Sequence, residues 1–247
     1  MTVPHDDRGL LLGDGLFETI LARGGVLEHW AAHLARLTAG CATLDLPSPD
    51  GAMALRLCEQ AVTDAGLSRA AVRLTLTAGS GGRGLDRPAQ AQLRLFATAS
   101  ASPPPPGPVD LVTVGVRRNE QSPASRLKTL SYLDNVLARR EARGAEALML
   151  NTAGQLACAA AANLFWSQGG RLLTPALDCG VLDGIMRGAV IARARARGVP
   201  VEEVRAGREA LEAADGLFLT NSLIGVRAVS MLDGRRVAES PLQALVS

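Results

Sequence analysis

Lysine, histidine and aromatic residues are scarce in this chain of 247 residues. Of the 26 Lys+Arg residues only one is a lysine, Lys128, aromatic residues make up 3% and there are 3 histidines. Arginine can replace lysine where a solvated positive charge is enough, but only a lysine amine readily loses its proton and attacks a carbonyl carbon. The single lysine is therefore either retained by chance or needed as a nucleophilic amine.

Several classes of protein are excluded by what else is missing. A formal net charge of +2 provides no basic footprint for nucleic acid. No apolar run approaches the roughly 20 residues of a membrane span, and no basic segment followed by an apolar one indicates a secretory signal. The 4 cysteines lack CxxC spacing, which favours a reducing, cytoplasmic setting without a metal site. His29 and His33, at i and i+4, are expected on a helix surface.

A stiff proline-rich segment divides the sequence. Ser102–Pro108 contains four consecutive prolines, which no helix or central strand can cross. On either side, alternating apolar residues predict strands that cluster with fewer helices, which indicates an α+β fold of two lobes. We expect a small N-terminal lobe at residues 1–101, a linker at 102–108 and a larger C-terminal lobe at 109–247.

Lys128 lies in a stretch whose spacing predicts a helix. Leu130, Leu133 and Leu137 recur at helical intervals over residues 128–143, which places Lys128 at the helix start. The positive end of a helix dipole disfavours a charged amine and would lower its pKa, as a Schiff-base lysine requires. The alternative interpretation is an exposed residue of the first helical turn.

Three other places could bind a phosphate group. A helix is expected to begin at Gly184, the turn Thr220–Ser222 offers hydroxyl, amide and backbone donors, and Arg36 could clamp an anion with two hydrogen bonds. Each also has an ordinary explanation, namely a loop-to-helix junction, a polar turn and a solvated arginine. The segment GSGGRG (79–84) fits neither a dinucleotide fingerprint nor a P-loop.

Six stretches, in this order and at this spacing, resemble the class IV aminotransferases, the fold type IV enzymes that use pyridoxal 5'-phosphate (PLP). They are GDGLFET (13–19), HLARL (33–37), SRLKTLSYLDNVLARREA (125–142), ANLFW (162–166), LDGIMRG (182–188) and FLTNSLIGVRAV (218–229). The resemblance implies the two-lobed fold of D-amino-acid and branched-chain aminotransferases, with a small N-terminal α/β lobe and a larger C-terminal lobe that contains a barrel-like sheet.

The resemblance also implies roles for individual residues. Lys128 would form the Schiff base with PLP, Arg36 would hold the cofactor phosphate, and Leu182 would lie on the pyridine ring. The full set of implied cofactor residues is Lys128, Arg36, Cys158, Asn163, Leu182, Ile185, Met186, Asn221 and Ser222. Arg83, Arg94 and Arg126 are candidates for the substrate carboxylates, and a homodimer is expected because a loop of a second subunit completes the site in this family.

One position departs from the family. Cys158 stands where the family has a glutamate whose carboxylate keeps the pyridine nitrogen protonated, and a thiol supplies no such charge. Transamination should suffer more than an elimination that is driven by aromatisation of its product.

Within the family, GSGGRG (79–84) and CAAAANLFW (158–166) look most like aminodeoxychorismate lyase of folate biosynthesis, which makes 4-aminobenzoate and pyruvate. The alternatives are a D-amino-acid or branched-chain transaminase, a PLP-binding homologue with impaired catalysis, and an α+β protein that binds no PLP.

Overall fold

The computed structural model describes residues 2–90 and 92–247, which form two compact units. The first unit comprises the chain up to Pro103 together with Leu127–Ser131, and the second comprises Pro104–Arg126 and Tyr132–Ser247. The chain thus returns to the first unit for five residues after it has entered the second.

The first unit is an antiparallel sheet with helices on one face. Its strands, in the order β2-β1-β3-β4, are β1 Gly15–Arg23, β2 Val26–Leu27, β3 Arg69–Thr77 and β4 Arg94–Ala101. Its helices are α1 Arg8–Leu12, α2 Trp30–Thr43 and α3 Gly51–Ala65. Sequence alternation predicts β3 and the strand at 91–99, of which Ala91 lies outside the described residues, whereas the short α1 is missed.

The core of the first unit lies between the sheet and helices α2 and α3. Alternate residues of the strands, such as Ile20 and Leu74, are buried against Leu37 of α2 and Val62 of α3. Because side chains alternate across a strand, the intervening residues of β1 and β3 stand on the opposite face of the sheet. Apolar residues at helical spacing predict helices over residues 29–44 and 52–65, which the structure confirms as α2 and α3. The helices cover one face of the sheet.

The returning segment pairs with β1 and is not helical. The backbone N–H of Phe17 donates to the carbonyl of Lys128 (2.9 Å), and the N–H of Leu130 donates to the carbonyl of Gly15 (3.1 Å). The prediction of a helix that starts at Lys128 is wrong, because the edge of β1 satisfies these backbone groups. The helix begins only at Leu133, whose side chain is 67% exposed.

The second unit is built on a mixed nine-stranded sheet. The strands follow the order β10-β9-β8-β11-β12-β5-β6-β7, with β13 paired to β12. They are β5 Val109–Arg118, β6 Glu146–Asn151, β7 Leu156–Ala159, β8 Asn163–Gln168, β9 Arg171–Pro175, β10 Val201–Val204, β11 Gly216–Asn221, β12 Gly225–Leu232 and β13 Arg235–Arg236. The helices are α4 Leu133–Glu141, α5 Ile185–Ala196 and α6 Gln243–Val246.

Helix α5 covers β8 and β11 through an aromatic pair. The rings of Phe165 and Phe218 stack with centroids 5.2 Å apart, and Val190 and Ile191 of α5 are buried in the same cluster. This contact fixes where the first turn of α5 lies relative to the ends of the two strands.

Candidate active site

Lys128 lies on the face of the first unit's sheet that is opposite its helices. Its Nζ is 4.3 Å from the ring centroid of Phe17, and the guanidinium carbon of Arg73 is 3.7 Å from the same centroid. The amine is half-buried and its pKa is lowered from 10.5 to about 8, mainly by burial, with Arg36 and Arg73 also lowering it and Glu18 opposing them. The low pKa thus comes from burial and neighbouring cations, because Lys128 is not at a helix start.

A buried carboxylate holds Arg36 and His33 beneath that sheet. Glu18 accepts two hydrogen bonds from Arg36, at 2.8 and 2.6 Å, and its Oε2 lies 2.7 Å from Nδ1 of His33. Burial alone would raise the pKa of Glu18, but Arg36 and His33 reverse this and keep it below its usual value. The surface position expected for His33 is wrong, since its side chain is 1% exposed.

The arrangement gives Arg36 a fixed direction. A bidentate arginine–carboxylate pair has planar geometry, so Glu18 restricts the rotation of the guanidinium. Sequence reasoning missed Glu18, although its central place in GDGLFET, between apolar neighbours on a predicted strand, was a usable signal.

In the second unit, the first turn of α5 has donors without a side-chain cap. The helix follows Gly184, whose neighbour Asn163 donates from Nδ2 to the carbonyl of Leu182 (2.9 Å). A Cβ at Gly184 would lie 2.0 Å from Oδ1 of Asn163, so a larger residue there would displace the Asn163 side chain. The N–H groups of Ile185 and Met186 lie in this first turn, where an anion is favoured.

The end of β11 lies beside this turn. Asn221 organises the loop, because its Oδ1 accepts from the N–H groups of Leu223 and Ile224 and its Nδ2 donates to Ala161, all at 2.9 Å. Ser222 follows it in the same loop. Thr220 is paired with Asn163 across the strands, and its fully buried hydroxyl has no hydrogen-bond partner among the described residues.

These features fit a phosphate-bearing cofactor. Thr220 and Phe218 share a face of β11, and Phe218 is covered by α5, so the unsatisfied hydroxyl is on the side of the uncapped helix end. A buried hydroxyl without a partner is costly unless a ligand supplies one. In the first unit, the half-buried, low-pKa amine of Lys128 is chemically suited to condense with an aldehyde.

Cys158 is a buried thiol in β7. Burial raises the pKa of Cys158, and Arg118 opposes this only in part, so the side chain is uncharged at neutral pH. The position that carries a glutamate in the resembled family thus contains a neutral group in this chain.

The three arginines suggested for substrate differ in their surroundings. Arg94 is engaged with Asp7 (3.1 Å) and Ser80 (3.2 Å), whereas Arg83 and Arg126 are exposed. The cation that the structure brings beside Lys128 is Arg73, which sequence reasoning missed. Because Arg73 alternates with buried residues of β3, the sequence predicts that its side chain faces away from the core. The chain has many arginines, however, and this feature does not distinguish Arg73 from the others.

Known proteins are similar to this chain over most of its length. The family model described as amino-transferase class IV matches residues 15–232. Aminodeoxychorismate lyase of Vibrio harveyi is 31% identical over 92% of this chain and 86% of its own length, and D-alanine aminotransferase of Listeria monocytogenes is 31% identical over 96% and 85%. The crystal structure of 4-amino-4-deoxychorismate lyase from Pseudomonas aeruginosa has a TM-score of 0.88 and 35% identity, covering 100% of this chain and 93% of that one.

The chain therefore belongs to the class IV aminotransferases, which are PLP-dependent enzymes. The α+β fold expected from the resemblance is confirmed. Within the described part of the chain, no helix is long and apolar enough to cross a membrane, and no group of three potential metal ligands occurs.

Proposed function

We propose that this protein is a PLP-dependent 4-amino-4-deoxychorismate lyase that forms 4-aminobenzoate and pyruvate. The observation that carries the choice of lyase over transaminase is the buried, uncharged thiol of Cys158 at the position of the family's glutamate. Transamination depends on a strong electron sink, whereas formation of an aromatic ring helps to drive the elimination when the electron sink is weaker.

Different residues would bind the cofactor and transfer protons. Arg36, the first turn of α5 and the pair Asn221–Ser222 would bind the cofactor phosphate, and Leu182 would lie against its ring. When bound, PLP supplies the electron sink that weakens the C–H bond beside the substrate amine.

Lys128 would be the covalent attachment point and the proton carrier. With a pKa of about 8, an appreciable fraction of its amine is neutral near physiological pH and can act as a general base. It would remove the proton from the ring carbon that bears the amine. It would then return a proton to the enolpyruvyl methylene carbon as the ring C–O bond breaks, so that 4-aminobenzoate and pyruvate leave.

The position of Arg73 favours it as the binder of a substrate carboxylate. Its exposed guanidinium and the Lys128 amine contact one phenyl ring, so an acid group near the reacting amine would meet a cation. Arg83, Arg94 and Arg126 remain sequence candidates for a second carboxylate.

A D-alanine-type or branched-chain transaminase is the second candidate. Its support is the relative from Listeria monocytogenes, which is as similar in sequence as the lyase from Vibrio harveyi. A PLP-binding homologue with impaired catalysis is the third, and its support is again Cys158.

The test is a comparison of three proteins, the wild type, Cys158→Glu and the uncharged control Cys158→Gln. Each is loaded with PLP and assayed for 4-aminobenzoate formation and for D-alanine or branched-chain amino acid transamination with 2-oxoglutarate. We expect lyase activity in the wild type and a gain of transamination in Cys158→Glu alone. Efficient wild-type transamination without 4-aminobenzoate would favour the second candidate, and a yellow protein with no turnover would favour the third.

We further propose that the enzyme is a cytoplasmic homodimer of folate biosynthesis. The four cysteines are all buried free thiols, which suits a reducing compartment. Sedimentation at several concentrations tests the dimer, and rescue of a strain that requires 4-aminobenzoate tests the pathway.

A further inference from the structure

Arg118, at the end of β5, is a half-buried cation with uncharged acceptors. Its Nε donates to the carbonyl of Gly180 (3.3 Å), one terminal nitrogen donates to Oδ1 of Asn135 (3.4 Å) and the other to the carbonyl of Ser125. Among residues 2–90 and 92–247, no carboxylate forms an ion pair with Arg118. A partly desolvated guanidinium without a counter-charge favours an anion, or disfavours a second positive charge, beside it.

Glu120, Glu141, Asp178 and Glu146, four acidic side chains of the second unit, have partners other than Arg118. Glu120 accepts from the hydroxyl and N–H of Thr152, and Glu141 of α4 accepts from the N–H of Gly115 at 2.6 Å. Asp178 pairs with Arg205, and Glu146 pairs with Arg139. Each of these carboxylates would have to leave its present partner before it could pair with Arg118.

Arg118 and Cys158 share one face of the sheet. Arg118 is opposite Asn151 on β6, and Cys158 is opposite Met149, two residues earlier on the same strand. Residues two apart on a strand point to the same side, so the two side chains project in the same direction. Asn135 links them further, because it accepts from Arg118 and donates to the carbonyl of Ala160 at 2.7 Å.

We propose that Arg118 sets the electrostatics of the position held by Cys158, so that a pyridine nitrogen bound there stays unprotonated. This rests on the proposed function for the placement of the cofactor ring. The positive charge of Arg118 disfavours a proton on that nitrogen, and the neutral thiol of Cys158 does not stabilise one. A glutamate at position 158 would neutralise Arg118 and accept a hydrogen bond from the protonated nitrogen. Arg118 is thus a specificity-determining residue, because it slows transamination but not the elimination that forms an aromatic product.

The first experiment needs no cofactor chemistry. Thermal unfolding of the full chain at pH 8 is compared for Cys158→Glu and its isosteric control Cys158→Gln, each with Arg118 and with Arg118→Met. With Arg118 present, we expect the Glu variant to melt no lower than the Gln variant. In the Arg118→Met background it should melt lower by about 3 °C or more, because its carboxylate is buried without a counter-charge.

The second experiment reads the ring nitrogen directly. The wild type and its variants are loaded with PLP labelled with nitrogen-15 in the ring, and the chemical shift reports the protonation state. We expect an unprotonated nitrogen in the wild type and a protonated one in Cys158→Glu. Arg118→Met should raise the pKa of the ring nitrogen by about one unit or more, and this arm decides the matter if the Cys158 variants do not fold.

Two results would overturn the inference. One is an equal Glu-minus-Gln difference in melting temperature with and without Arg118, and the other is a protonated ring nitrogen in the wild type. Failure of the chain to bind PLP would instead contradict the proposed function, and the unfolding comparison would still decide whether Arg118 acts on position 158.

Discussion

At the scale of single residues, Lys128 concentrates the chemistry because the chain has no second lysine. In Lys128→Arg the positive charge and the pairing with β1 are kept, but a guanidinium does not form the covalent bond with PLP. We expect borohydride reduction to attach the cofactor to the peptide containing residue 128 in the wild type alone, and turnover to fall at least ~10³-fold in the variant.

The control for that experiment is the N-terminal amine, the other primary amine of the chain. A PLP-modified N-terminal peptide of equal yield in both proteins would report non-specific reaction. Specific modification of Lys128→Arg at any other position would contradict the assignment.

The pH dependence of the Lys128 amine follows from its environment. The neutral amine is the reactive form, and the lowered pKa makes half of it neutral near pH 8, whereas an ordinary lysine reaches that point near 10.5. We expect acetylation of Lys128 in the cofactor-free protein to rise with pH through a midpoint near 8, as measured by peptide mass spectrometry.

Arg73→Met provides the matched change, because Arg73 lowers the pKa of Lys128. Its removal should move the acetylation midpoint to higher pH. A wild-type midpoint near 10.5 would show that burial and neighbouring cations do not tune this amine, and an unchanged midpoint in Arg73→Met would show that Arg73 has no part in the shift.

At the scale of elements, the contact between β1 and α2 depends on Glu18. Its loss in Glu18→Ala leaves Arg36 without its buried counter-charge, so we expect the free energy of unfolding to fall by about 3–5 kcal/mol. Glu28 is the control, since it also pairs with an arginine, Arg23, but at the surface. Glu28→Ala should cost less than about 1 kcal/mol in the same urea titration. Equal losses would mean that the Glu18 cluster contributes no more than a surface pair.

Helices and strands could be predicted from the sequence where the residues that recur at helical or strand spacing are also the buried ones. Helix α3 and strand β3 follow their patterns. The dipeptide Asp233–Gly234 predicts a hairpin turn, and both residues have the positive φ angles that such a turn needs. The pattern around Lys128 misled, because leucines at helical spacing also occur in a segment whose backbone pairs with a distant strand. Exposure of Leu133 and Leu137 shows that this spacing did not mark a buried face.

Some residues of the candidate site could likewise be predicted from the sequence, and others could not. Motif order located Lys128, Arg36 and the first turn of α5, since these belong to local segments. The partners Glu18 and Arg118 come from other elements, and their contacts depend on strand register and helix packing that a single sequence does not specify. Cys158 could be located, but its arginine neighbour could not.

At the scale of the whole molecule, all four cysteines are buried free thiols. Burial first, and then the nearby Glu59, raise the pKa of Cys58 to about 12, and burial also raises the pKa of the other three. We expect few or no thiols to react with Ellman's reagent at pH 8 in the folded protein, and all 4 to react in guanidinium. Rapid reaction of two or more thiols in the native state would contradict this burial. Fewer than four in guanidinium without reductant would indicate a disulfide.

The return of Leu127–Ser131 to the first unit has a consequence for biosynthesis. When the ribosome has released the chain only as far as Pro103, the edge of β1 between Gly15 and Phe17 still lacks the backbone partners supplied by Lys128 and Leu130. The N-terminal unit can be completed only after about thirty more residues emerge, so its maturation is tied to synthesis of its neighbour. A nascent chain stalled before residue 127 would expose that strand edge to chaperones. Pairing of Leu127–Ser131 with β1 covers the edge and at the same time places the reactive amine of Lys128.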